Sequence, residues 1–275
     1  MSFQIFNKVD KTFVINLKKD THRKEHVIKS FNSRNIDFEF IDAVDHNNAD
    51  VKNTYINHLV HEFPPCFRCK ENRCNHENNF ITPKQVANFL SFKKIMKKIS
   101  SEKIANAFIF EDDFYFKFFA GTSFKQINSF IENKQLLERR SPFLLRIGSH
   151  TQVNKKYYLK LLLFNKISIV ENKTKDMANP CFLINLEFAN LFLEHFPNID
   201  MTSDAYIHSI LPKKTSVENF SVYPYCIGQY SYGSKKNKFP SSITSNQKET
   251  ENFSNINSIS KDQNYEQLKQ IWIDS

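Results

Sequence analysis

Ala107-Phe108-Ile109-Phe110 runs straight into Glu111-Asp112-Asp113, so four apolar residues give way at once to three carboxylates. No other feature restricts the fold as tightly. A run this short is too brief for a helix, and with charge directly behind it the run reads as a strand buried on both faces. Ligands of such sheets bind beyond the carboxyl ends of the strands. Adjacent carboxylates repel one another, and a fold that keeps them together commonly supplies a compensating charge, most simply a hard divalent cation such as Mg²⁺ or Mn²⁺. The competing reading is a solvated acidic turn that merely closes the strand.

Composition narrows the classes. A chain of 275 residues suffices for one large α/β domain or two small ones. Phenylalanine is abundant, at 28 residues, while the 4 glycines are too few for a glycine-rich phosphate loop. Neither a dinucleotide-binding fingerprint nor a P-loop lysine motif is present. The formal charge of +9 suits a polyanionic partner: a nucleotide diphosphate, a phosphorylated glycan, nucleic acid or an anionic membrane face. The opening stretch Met1 to Phe6 is too short and polar for a secretory signal, and no apolar run approaches a membrane span. The expectation is a soluble cytoplasmic protein whose basic surface suits peripheral contact with the cytoplasmic membrane face.

Three of the five cysteines fall close together, as Cys66, Cys69 and Cys74, with His76 next to the last. An odd, clustered set argues against a disulfide framework and for a reducing compartment. Three thiols and an imidazole match tetrahedral zinc, with His61 or Cys181 as alternatives to His76. Pro64-Pro65 and Asn78-Asn79 bracket the cluster, which predicts a structural zinc staple in an insertion over 61–80. A loop carrying free cysteines is the alternative.

Along the chain, Thr12 to Leu17 reads as a strand, Asp20-Thr21 as the start of a helix through Phe31, and Ile36 to Phe40 as an alternating second strand. Thr82-Pro83 opens a further helix whose apolar stripe Lys93 interrupts. A helix around Phe124 to Leu137 and strands at 143–147, 167–170 and 181–184 follow. Asn185 caps a helix from Leu186 to Phe196, and Thr202-Ser203-Asp204 starts another, on which Asp204 and His208 are four residues apart. Such a pair suits a base with its orienting partner, or an ordinary cap beside a surface histidine. Strands alternating with helices imply a mainly parallel sheet covered on both faces. The aromatic and basic run Tyr230 to Lys238 could cover a diphosphate, or be a solvated loop. Residues 246–275 turn polar and read as a linker before an amphipathic segment near Tyr265 to Ile273, leaving 1–245 as the main domain.

Four segments in order resemble the family 25 glycosyltransferases, the lipooligosaccharide galactosyl- and glucosyltransferases related to procollagen galactosyltransferases. They are Phe13 to Leu17 with Arg23 and Ala43-Val44-Asp45, Gln85 to Ser91, Ala107 to Asp113, and Asn179 to Asn185 with Ser203-Asp204. His46 and Phe92 stand where the family usually has glycine and histidine. The resemblance implies a GT-A fold, Rossmann-like and nucleotide-sugar-binding, that moves galactose or glucose from a UDP-sugar to a glycan, lipooligosaccharide-type or protein-linked acceptor. It also implies a divalent metal on Glu111 and Asp113, a donor site that includes Asn16, Arg23, Asp45 and Asp112, and inversion with Asp204 as base. Lys18, Lys19 and His22 follow the first strand, where they could meet the diphosphate or base of the donor, a solvated basic face being the alternative for the lysines. Arg23 has support of its own, since the helix dipole disfavours a cation in the first turn unless an anion lies nearby. Two rivals remain. A zinc-stapled basic module for nucleic acid explains the charge and the cysteines, but not three carboxylates that would repel phosphates; on this reading nucleic acid is not the expected partner. A two-metal phosphoesterase would need carboxylates and histidines from more strands than are apparent.

Overall fold

Strand β1 (Lys11–Asn16) buries every residue after Lys11, as a strand covered on both faces must. Asp20 then accepts the Arg23 amide at 3.2 Å and starts α1 (Thr21–Asn32). β2 (Glu39–Asp42) begins later than the alternating run suggests, because the amide of buried Ile36 closes the turn after α1 by donating to Phe31 O at 3.2 Å. A short helix not expected from the sequence, α2 (Ala49–Ile56), starts where Asn48 accepts the Asp50 amide at 2.8 Å. α3 (Pro83–Glu102) opens with a reciprocal cap: the Thr82 amide donates to Gln85 Oε1 at 2.8 Å and the Gln85 amide to Thr82 Oγ1 at 3.3 Å. Lys93, the break in its apolar stripe, lays its ammonium over the Phe196 ring, 3.7 Å from the centroid.

The acidic strand, β3 (Asn106–Glu111), is followed by β4 (Phe114–Phe116), α4 (Ala120–Lys134), β5 (Phe143–Arg146), α5 (Lys155–Phe164) and β6 (Ser168–Glu171). β7 (Cys181–Asn185) ends in Asn185, whose side chain accepts the Phe188 amide at 3.1 Å and begins α6 (Leu186–Glu194). α7 (Ser203–Ala205) passes into a π-helical stretch, Tyr206–Ile210, and then α8 (Leu211–Lys214); β8 (Glu218–Tyr223) and β9 (Ile227–Gln229) complete the order. The computed structural model describes residues 2–61, 64–66, 69–71, 81–149, 155–171, 178–196, 198–231 and 238–239. The expected tail over 246–275 lies outside the described residues.

Seven strands form one sheet in the order β2-β1-β3-β7-β5-β8-β6, and β4 pairs with β9 in a separate ribbon. The pairings make β2, β1, β3, β5 and β8 run one way, with β7 and β6 reversed, so the sheet is largely parallel, as the alternation of elements implies. β7 matters most here. Because it lies antiparallel to β3 with Cys181 opposite Phe110, its first residues stand beside the acidic end of β3. One sheet face is packed with phenylalanine: Phe6 and Phe108 rings are 4.5 Å apart, and Phe31 stacks on Phe114 at 4.9 Å. Rings in offset and edge contact bury much area at little entropic cost, which is how a chain so rich in phenylalanine makes its core.

The chain divides into two compact units. The sheet belongs to Met1–Ala43, Ser91–Phe196 and Asp204–Phe239. The second unit comprises Val44–Leu90, Pro197–Ser203 and Pro240–Ser275. In it Val60 bridges Ile199, and Tyr55 donates its hydroxyl to Ile81 O at 3.0 Å. Among the described residues no helix is long and apolar enough to cross a membrane.

Candidate active site

At the end of β3 the three carboxylates part company. Asp112 turns inward and is almost wholly enclosed: its Oδ1 accepts Arg23 Nη1 at 2.8 Å and its Oδ2 accepts Asn16 Nδ2 at 2.8 Å. Arg23 is fixed from its other edge as well, its Nε lying 3.1 Å from Asp20 Oδ2. The last residue of β1, the first turn of α1 and the acidic turn are therefore tied by one buried clamp. Burial pushes the Asp112 carboxyl up to about 6, against the pull of Arg23 and Asn16, and the Asp113 charge adds to the rise. Burial lowers Arg23, but the carboxylates of Asp112, Asp113 and Asp20 outweigh it and the guanidinium ends above its ordinary range. The pair is thus ionised at neutral pH.

Asp113 has the opposite environment. It is 3% exposed, and its Oδ1 is buried with no hydrogen-bond partner among the described residues. A buried carboxylate oxygen left unsatisfied costs more than a neutral one. Glu111, on the other side of the clamp, accepts Gln229 Nε2 at 2.9 Å. β9 thus braces the acidic turn, and the Tyr230 amide continues the brace by donating to Asp113 O at 2.8 Å. Gly228 permits this approach: a Cβ there would lie 2.4 Å from Tyr115 Cζ. Gln229 and Gly228 carry no sequence signal, since their role exists only once β4 and β9 pair.

Tyr230 and Lys238, the described ends of the aromatic and basic run, lie at the same place. Tyr230 packs on Tyr115 at 4.8 Å and on Phe239 at 5.4 Å, and Lys238 holds its ammonium 4.5 Å from the Tyr230 centroid. Phe239 also meets His22 at 5.2 Å and His26 at 5.1 Å, and lies 5.9 Å from the Arg23 guanidinium carbon. His26 donates to Phe114 O at 2.8 Å; burial, with Lys238 nearby, keeps it below its usual range and hence neutral. Lys18 and Lys19 are exposed.

Asp204 stands in the sheet-bearing unit, where its Oδ2 accepts the Ala178 amide at 2.7 Å and its Oδ1 the Ala205 amide at 2.9 Å. Ala178 has φ 81°, a left-handed backbone for a non-glycine residue, and its carbonyl accepts Nη2 of fully buried Arg146 at 2.8 Å. It lies three residues before Cys181, which pairs with the end of β3, so Asp204 is held at the carboxyl edge that carries the acidic turn. Its suggested partner is elsewhere. His208 is 2% exposed, sits edge-on to Phe182 at 5.3 Å and has no hydrogen bond at either ring nitrogen. Asp204 and His208 therefore share no hydrogen bond, and His208 does not orient the carboxylate. Burial and the Arg146 charge hold His208 well below its usual range, so it is a neutral core side chain.

Asp45 belongs to the second unit, where its Oδ1 accepts the Asn47 amide at 3.0 Å and faces His46 Nδ1 at 3.2 Å. The zinc-stapled insertion is not supported. Among the described residues no three His, Cys, Asp or Glu side chains form a metal site, Cys66 and Cys69 form no disulfide, and Cys74 and His76 lie outside the described residues. Cys181 is no substitute ligand: it is wholly buried in β7, and burial holds its thiol far above the range in which it ionises.

A largely parallel α/β sheet with a braced acidic turn and a basic, aromatic rim at its carboxyl edge has the architecture in which ligands bind beyond the strand ends. Over residues 9–207 the chain matches the family described as Glycosyltransferase family 25 (LPS biosynthesis protein), and it belongs to that family. It is therefore a glycosyltransferase, with a sugar donor and a glycan acceptor as its substrates. No curated protein matches the chain.

Proposed function

We propose that the chain is a GT-A hexosyltransferase that moves galactose or glucose from a UDP-sugar to a glycan of lipooligosaccharide or protein-linked type, with inversion at the anomeric carbon. The observation that carries this reading is the buried, unpartnered Oδ1 of Asp113. Hard oxygen donors on Glu111 and Asp113 fit Mg²⁺ or Mn²⁺, which are commonly bound by one or two carboxylates with substrate phosphates completing the shell. Bound there, the cation would neutralise the charge that develops on the departing diphosphate. The Asn16–Arg23–Asp112 clamp then serves to position the site, holding the turn so that Asp113 faces the donor. The Asp204 carboxylate takes the proton of the acceptor hydroxyl as that oxygen bonds to the anomeric carbon and the bond to the β-phosphate oxygen breaks, releasing UDP. Asp204 keeps lone pairs for this, since each of its oxygens accepts one amide.

The test is a UDP-sugar panel with and without Mn²⁺, read as UDP release and as thermal stabilisation. One UDP-hexose should be turned over, and Asp113→Asn should lower turnover at least about a hundredfold without lowering the melting temperature, since it relieves an uncompensated buried charge. Silence across the panel, or full activity in Asp113→Asn, would overturn the assignment.

A further inference from the structure

α5 turns the wrong side to water. Its Leu161 is buried in the core, yet Leu159 is 53% exposed, Leu163 70% and Phe164 66%. Leu159 and Leu163 are one helical turn apart and Phe164 adjoins them, so the three form one outward strip. Scattered single apolar residues on a surface need no explanation, but three on one short helix do. Only Phe118, at 84%, is as exposed among the large apolar side chains described, and it stands just before α4. α4 holds the end of α5 in place: Gln126 Nε2 donates to Asn165 O at 2.9 Å and the Ile167 amide to Gln126 Oε1 at 3.0 Å.

Charge tells what covers the strip. Between Glu138 and Glu171 the chain has no acidic residue, while Lys155, Lys156, Lys160 and Lys166 lie on or beside α5. Lys160 and Lys166 are exposed, as is Lys125 on α4 next to Gln126. A protein partner of mixed charge would match this one-signed surface poorly. An anionic lipid surface accepts both features, with the leucines and phenylalanine entering the acyl boundary and the lysines staying among the headgroups. We infer that α5 is a docking surface for an anionic bilayer. The inference is independent of the sugar-transfer reading, because it is tested without donor or acceptor.

The experiment is cosedimentation of the full chain with vesicles of equal parts phosphatidylglycerol and phosphatidylcholine, and with phosphatidylcholine alone. Binding to the anionic vesicles is expected, weakening as salt is raised because the lysine contribution is screened. Leu159→Ser with Leu163→Ser and Phe164→Ser should cut partitioning by on the order of a hundredfold, since three side chains lose their burial. Lys160→Glu with Lys166→Glu should remove the preference for anionic lipid. Leu163→Trp in a Trp272→Phe background provides a check that needs no loss of function: its emission should shift to the blue only with anionic vesicles. The proposal fails if the native chain stays in the supernatant, if the serine variant sediments as the native chain does, or if the strip instead proves to pair two copies of the chain in light scattering with no lipid effect.

Discussion

Arg23→Met tests the clamp. Arg23 and Asp112 side chains are each 10% exposed and meet at 2.8 Å, so the substitution removes the cation and leaves a carboxylate enclosed with only Asn16 as partner. Removing one member of a buried pair typically costs about 3–5 kcal/mol, because the remaining charge keeps its desolvation penalty without its compensation. At about 2–4 °C per kcal/mol for a chain of this size, the melting temperature should fall by roughly 6–20 °C. The deficit must also depend on pH. Asp112 already titrates at about 6 in the folded protein, above the unfolded value near 3.8, and losing Arg23 raises it further. A carboxyl raised on folding has a stability that falls as pH climbs from the unfolded to the folded value, with the full cost present above the latter. The variant should therefore be much weaker than the native chain at pH 8 and closer to it at pH 5. Adding Asp112→Asn should return more than half of the loss at pH 8, since no charge is then stranded. Thermal melts of the four proteins at both pH values decide the matter. A loss under about 1 kcal/mol at pH 8, or a double variant no better than Arg23→Met, would refute the clamp.

The same titration should shape activity: as pH falls through about 6 Asp112 takes up a proton, its ion pair weakens, and kcat/KM should decline, with Asp112→Asn removing that acid limb. Gly228→Ala places a methyl 2.4 Å from the Tyr115 ring, which must move; a loss of roughly 1–3 kcal/mol in chemical denaturation is expected, together with weaker Mn²⁺ stabilisation as Gln229 leaves Glu111. If the Cys66, Cys69, Cys74 and His76 set takes up zinc, elemental analysis of the purified chain should give one zinc per chain, lost in Cys69→Ser; an equal metal content in both proteins would leave the cysteines without a metal role.

Where a local pattern determines structure by itself, the sequence is readable. The buried run before Glu111, the Asp20 and Asn185 caps and the helix entry at Thr82-Pro83 all involve groups within four residues of one another, and each lies where expected. The strand expected from Ile36 starts later because an alternating pattern cannot tell a strand from a turn that buries its own isoleucine. α2 has too weak an apolar stripe to announce itself, and β4 and β9 are three-residue strands that exist only as a pair. Asp204 and His208 show the limit from another side. Spacing by fours says nothing of what each side chain packs against: Asp204 is taken by two backbone amides, while His208 is enclosed against Phe182.

The acidic triplet carries the deeper lesson. Three consecutive carboxylates look equivalent in a sequence, and the natural inference from their repulsion is a single ion that serves them all. The fold solves the repulsion differently, by giving the middle one a private cation. Asp112 is compensated inside the protein by Arg23, a residue 89 positions away, and with Asp112 so occupied the site has two carboxylates rather than three. On the proposed metal reading, Glu111 and Asp113 supply the one or two carboxylates with which Mg²⁺ is usually held beside substrate phosphates. The clamp is therefore part of the specificity of the site as well as of its stability. It follows that Arg23→Met should alter how the site takes Mn²⁺ even under conditions where the variant is fully folded, because a third carboxylate then becomes free to compete with the donor.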